Sequence, residues 1–343
     1  MGELTGKKRI QFFMNLLSNN LDAAILAYKD NPSKPFGFYV HNYDCRTPLF
    51  KIQALVRLLD RSKKKNLRAI SVILSITKTV EDMIGQFDFA ASILNGNHKW
   101  QFPDAVKNQI LIQYGFALGT LEECLLQLGW ITRGKNVIQF DDFGFDYLKS
   151  ALKEISFPSS KKERKYILGF FNHLCLDIDE EIREKKLDLS HIEDGIHEFR
   201  RDIRWLSIYA SSLRGKVILS NNEETDPFQE FITPENIESK YNILMINEEE
   251  KNILTFPQGG FYALGRLIAD LGDIKDKGLV TEYMMHLGLS NGMSAEEIAS
   301  LLSDDYQDVE TTIQLANSKI NKFVLEEDGF LKLANHFEAQ LAL

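Results

Sequence analysis

Cysteine is scarce in this 343-residue chain: Cys45, Cys124 and Cys175 are widely spaced, with no C-x-x-C pair. An odd, dispersed set supports neither a disulfide framework nor a structural zinc site, and reads as buried free thiols in a reducing compartment. Long apolar runs are missing as well. The best candidate, residues 110–131, carries Glu122 and Glu123, whereas a bilayer crossing needs about 20 consecutive apolar residues. Lys7, Lys8 and Arg9 precede only a short apolar patch, Phe12 to Leu17, which Asn15 interrupts and no small-residue cleavage site follows. No signal peptide is therefore expected, and the chain reads as soluble and cytoplasmic, without a membrane partner.

Catalytic signatures are absent too. No G-x-x-x-x-G-K-[ST] or G-x-G-x-x-G loop, no H-E-x-x-H or H-x-x-x-H pair and no G-x-S-x-G elbow occurs, so nothing proposes a nucleotide site, a metal or another cofactor. The spacing of carboxylates singles out no acid–base pair, and a non-enzymatic role is the expectation. Asp177, Asp179, Glu180 and Glu181 read as a solvated helix face.

What the chain has is helical periodicity and ample apolar content, 44% of residues. Ser160-Lys-Lys-Glu163 and Ser190-His-Ile-Glu193 have the spacing of capping boxes, in which serine and glutamate side chains satisfy free N–H groups at a helix start. The first opens a helix with the stripe Ile167, Phe170, Leu174, Ile178. The second opens a helix over 191–214 with Ile196, Phe199, Ile203, Leu206, Ala210 and Leu213 on one side, and Gly215 as its stop. Further helices are expected over 7–28, 49–65, 68–94, 104–129, 145–155, 262–287, 294–302 and 306–324. Val137–Phe140 is the best strand candidate. Gly115 and Gly119 read as a close helix contact. Loops are marked at 31–35, 95–97, 157–160 and 220–258. The break near 156–160 predicts two domains, 1–156 and 157–343, the second carrying an acidic insertion at 220–258 and C-terminal helices. The fold class expected is all-α, as two antiparallel bundles.

Charge is unevenly distributed. The net charge of −9 includes −7 from residues 221–252, with nine acids and two bases, and another −7 from 294–343, with ten acids and three bases. The rest of the chain is therefore +5. Within it, residues 46–68 hold eight bases against Asp60 alone. An acidic total hides a basic region.

The richest constellation is His197-Glu-Phe-Arg200-Arg201-Asp-Ile-Arg204-Trp-Leu206. On a helix His197, Arg200, Arg201 and Arg204 share about 100° of arc. Like charges at that spacing repel, so an anion should compensate them, either protein carboxylates or a ligand; the arginine fork suits phosphate oxygens. A second basic group comprises His41, Arg46, and Arg57, Arg61, Lys64 and Arg68, spaced as one stripe on a helix. Two basic helices, their histidines 156 residues apart, point to an internal duplication. Residues 294–324 have the outline of a helix-turn-helix, but Asp308 and Glu310 would repel a phosphate backbone, so nucleic acid is not an expected partner.

The segment His197–Leu206 resembles the H-x-x-R-x-x-x-[RK]-x-L helix of the conserved histidine α-helical domain (CHAD) family. Leu271-Gly272-Asp273-Ile274-Lys275-Asp276 is similar to the family's downstream L-G-x-x-x-D element. In the first half, His41 and Arg46 are two residues too far apart, and Ile84-Gly85-Gln86-Phe87-Asp88 approximates the second element. The resemblance implies two duplicated antiparallel helical bundles around a basic central groove, and non-catalytic binding of inorganic polyphosphate or another phosphate-rich anion. The acidic total, and Trp205 after Arg204, depart from the family pattern. A helical scaffold or regulatory module with a protein partner and internally neutralised basic patches is the alternative.

Overall fold

The computed structural model describes residues 4–59, 64–97, 99–133, 138–140, 142–220, 226–239, 242–302 and 306–342. Helix accounts for 76% of it, in 13 α-helices, so the protein is all-α with two minor strand pairs. The chain divides into two compact units: Thr5–Phe157, and Pro158–Leu343 together with Leu4.

The first unit comprises α1 (Gly6–Asp30), α2 (Phe36–Asn42), α3 (Arg46–Arg57), α4 (Lys64–Asn97), α5 (Asp104–Gln127), the strands β1 (Ile131–Arg133) and β2 (Ile138–Phe140), and α6 (Asp142–Glu154). β1 and β2 pair antiparallel, with Thr132 opposite Gln139. The long α4 is the hub, packed by α3, α5 and α6, while α1 packs on α2 and α3. Phe87 of α4 sits at 1% exposure against Leu118 and Ala117 of α5, with Tyr114 at a 5.4 Å ring separation.

The second unit comprises α7 (Ser160–Arg183), a π-helical turn (Ile192–His197) running into α8 (Glu198–Ser212), β3 (Val217–Ser220), the short α9 (Pro234–Glu238), β4 (Leu254–Pro257), α10 (Gln258–Ser290), α11 (Ala295–Leu302), α12 (Val309–Asn321), a second π-helical turn (Lys322–Glu326) and α13 (Gly329–Leu341). Here α10 is the hub, packed by α8, α11 and α12, and α13 lies along α7. The core is aromatic: Phe337 stands 5.3 Å from Phe171 and 5.1 Å from Phe256, which is 5.1 Å from Phe261. Pairs of this kind add about 0.5–1.5 kcal/mol each beyond their buried area.

Several sequence expectations are corrected. The helix expected across 49–65 ends at Arg57, and Lys64 opens the next. Neither capping box forms. α7 starts one residue earlier in register, with Ser159 at its N-cap and no side-chain bond, while the π turn starts at His191. The Ser160 hydroxyl instead accepts from Lys216 Nζ at 2.6 Å. A capping box does form at α11, where Ser294 and Glu297 bond each other's N–H groups at 3.2 and 2.8 Å. On α7 the expected Ile167 and Ile178 are buried, but Phe170 and Leu174 are only half-buried, and Leu168, Phe171 and Cys175 take the covered positions on the helix against which α13 packs. On α8 all six expected stripe residues are buried. Gly215 follows the helix end at φ +90°. Gly115 and Gly119 have nothing within 4 Å of a built Cβ, so they make no close helix contact. Asn95-Gly96-Asn97 closes α4 rather than forming a loop. Asp179 is not solvated; it is 4% exposed and bonds Arg183 at 2.7 Å.

Candidate functional site

In each unit the basic element and the hub helix meet at a glycine. In the first unit Arg46 leaves the start of α3 and lays its guanidinium across Gly85 of α4; a Cβ there would stand 2.6 Å from Nη2. Arg46 donates from Nε and Nη2 to Glu81 Oε1 at 2.9 and 2.8 Å, and from Nη1 to Asp88. His41 Nε2 pairs with the same Asp88, while its Nδ1 is 3.2 Å from Asn42 Oδ1. The two extra residues between His41 and Arg46 are taken up by a turn. α2 stops at Asn42, Asp44 adopts φ +48°, and Cys45 N–H reaches back to the Val40 carbonyl at 3.3 Å. Hydrogen bonding to Asp88 raises the His41 pKa above its usual value. Burial works to raise that of Asp88, but His41 and Arg46 outweigh it and hold the carboxyl below its ordinary range.

In the second unit Arg200 crosses Gly272 of α10 in the same way, with Nη2 2.8 Å from a built Cβ. The partners differ. Arg200 Nε donates to the Ile268 carbonyl at 2.9 Å, and among the described residues no carboxylate lies within ion-pair distance of its guanidinium. Counting from the glycine, Ile268 stands where Glu81 stands in the first unit, four residues before. Lys275 stands where Asp88 stands, three residues after. The acidic pair, −2, is replaced by a neutral residue and a cation, +1.

Lys275 is buried at 8% exposure and bonds the exposed Asp276. His197 Nδ1 is buried and has no hydrogen-bond partner among the described residues. Burial, then Lys275, Arg201 and Arg200, against the opposing pull of Glu198, push the His197 pKa down to about 4. Burial also lowers that of Arg200, with Asp276 and Asp273 acting oppositely from the exposed side.

The remaining sequence candidates are placed as follows. Arg201 is exposed and pairs with Glu198, and Arg204 is half-buried on α8. Arg57 is half-buried at the end of α3, and Arg68 is exposed on α4. Arg61 and the Lys64 side chain lie outside the described residues. With α3 ending at Arg57, the basic residues of 57–68 do not form one helical stripe. Sequence reasoning passed over Lys275, which stands inside the quoted L-G-x-x-x-D element, and Glu81.

Three acids of the insertion are engaged elsewhere. Glu250 bonds the buried Lys216 at 3.2 Å, Asp226 accepts from Gly259 N–H at 2.7 Å, and Glu235 lies 3.8 Å from Arg266. Glu223, Glu224 and Lys240 lie outside the described residues. Among the described residues the insertion sends no ion pair to His197, Arg200 or Arg201.

Among the described residues no cluster of His, Cys, Asp and Glu is suited to hold a metal, and no helix is long and apolar enough to cross a membrane. Compared with family models, with curated proteins and with solved structures, the chain matches none.

Proposed function

We propose that the protein is a divergent CHAD-like module, duplicated from a common helical unit, that binds a phosphate-rich polyanion without catalysis. The observation that carries the reading is the Arg200 guanidinium fixed on Gly272 with no carboxylate partner among the described residues. Beside it stand a buried lysine and an imidazole whose pKa is held low by burial and then by neighbouring cations. Such an assembly is electrostatically unfavourable alone and is relieved by an anion. A phosphoryl oxygen pair matches the arginine fork, and Lys275 adds a point charge. Arg201 and Arg204, further along α8, extend the positive face for a ligand with many phosphates. The duplication is supported by hub helices of 34 and 33 residues, each holding an arginine over a glycine.

The test is titration with long-chain inorganic polyphosphate at two salt concentrations. Binding at low salt should weaken steeply as salt rises, by analogy with counterion release from nucleic acids. Arg200→Ala should weaken it at least tenfold. No binding at low salt overturns the reading.

A second reading, a helical interaction module, is favoured by α5. Its outer face exposes Ile112 at 69% and Phe116 at 74% beside the open Gly115 and Gly119, an apolar patch of the kind that partners cover.

A further inference from the structure

The two glycine-docked arginines share a geometry but not a charge balance. In the first unit one carboxylate, Asp88, bonds both the imidazole and the guanidinium, and Glu81 takes up the remaining fork. That is what a bound oxyanion would do: one group bridging histidine and arginine. Among the described residues of the second unit no carboxylate bridges histidine and arginine, and a buried lysine stands at that place in the sequence. Asp276 is the nearest rival for the role, but it is spent on Lys275 and points from an exposed position.

We propose that the first unit carries a built-in anion, Asp88, in the place that a ligand phosphate takes in the second, so that the chain presents a single phosphate subsite made by Arg200, His197 and Lys275. This rests on the anion-binding reading and adds to it which half binds, what closes the other and the part played by Lys275. The Asp88 carboxylate supplies its charge at no cost in association entropy, since folding has already placed it; a free anion would have to displace it. The second subsite has no such competitor among the described residues and one more cation.

The probe is inorganic tripolyphosphate, too short to span distant sites, titrated calorimetrically at low salt. The wild type should bind one equivalent, Arg200→Ala and Lys275→Asp should each lose at least tenfold in affinity, and Asp276→Asn should gain. Asp88→Asn, which keeps the shape and removes the charge, should raise the count to two. A readout independent of any variant's folding is the histidine Cε1–H spectrum of the wild type, in which tripolyphosphate should move the His197 signal and leave His41 in place. Two equivalents in the wild type, a count that stays at one in folded Asp88→Asn, or a shift at His41 overturns the inference while leaving polyphosphate binding intact. Failure of both tripolyphosphate and the long-chain polymer to bind overturns the underlying reading instead.

Discussion

His41 and His197 each neighbour a glycine-docked arginine, and their pKa values are pushed in opposite directions. His41 is raised by its bond to Asp88, so the stability it contributes is complete below the unfolded value of about 6.5 and fades as pH climbs through the folded value above it. His197 is lowered to about 4 by burial and then Lys275, so its contribution is complete above about 6.5 and fades as pH falls toward 4. Proton titration followed by NMR should place the two signals on either side of the unfolded value, and His197→Asn should flatten the loss of thermal stability between pH 6.5 and 4. The glycines give a second pair of tests. Alanine favours a helix by up to about 1 kcal/mol over glycine, but its Cβ would push on the guanidinium. Gly85→Ala should destabilise the fold by about 1–3 kcal/mol in denaturant, because Arg46 would be pulled from two half-buried, charge-assisted bonds to Glu81. Gly272→Ala should be nearly neutral for stability and should cut polyanion affinity, since Arg200 has less to lose. The histidines and arginines were legible in the sequence. Their partners were not: Arg46 and Gly85 are 39 residues apart, and nothing local announces that one lies over the other.

Helices were read well where one face is buried and poorly at their ends. The α8 stripe emerged intact because α10 and the core cover one side of it. The α7 stripe holds at its two ends, Ile167 and Ile178, and misses in the middle, where Phe171 and Cys175 are buried in place of Phe170 and Leu174, since apolar residues run on around that helix and the docking of α13 decides which of them is covered. The expected capping box at Ser160 fails for a tertiary reason, since its oxygen serves Lys216 instead of a backbone N–H, while at Ser190 the helical turn starts one residue later, from His191. The acidic insertion is also stitched to the fold at this point. Lys216 is fully buried, held by Ser160 Oγ, the Lys251 carbonyl and Glu250, next to the parallel pairing of Val217 with Leu254. Lys216→Met should cost about 3–5 kcal/mol by leaving Glu250 buried without its cation, and Lys216→Met with Glu250→Leu should recover much of that. Urea unfolding of the two variants side by side decides it.

For the molecule as a whole, net charge misleads about local potential. The sum of −9 predicts repulsion of phosphate polymers, yet Glu250, Glu235 and Asp226 of the acidic stretch are engaged with Lys216, Arg266 and the start of α10, and among the described residues no acid of that stretch pairs with Arg200. Composition could reveal a two-part, helix-rich chain with segregated charge; it could not reveal which carboxylate neutralises which cation, because that is settled by packing between elements far apart in sequence. The sequestered amine of Lys216 offers a practical handle on this. An acylating reagent reaches only nitrogen that solvent can wet, so mass spectrometry of a labelled sample should find this lysine blank while exposed lysines such as Lys161 and Lys277 are modified. Its mark should appear only at the pace at which Pro158–Leu343 opens, making one side chain a clock for the integrity of that half.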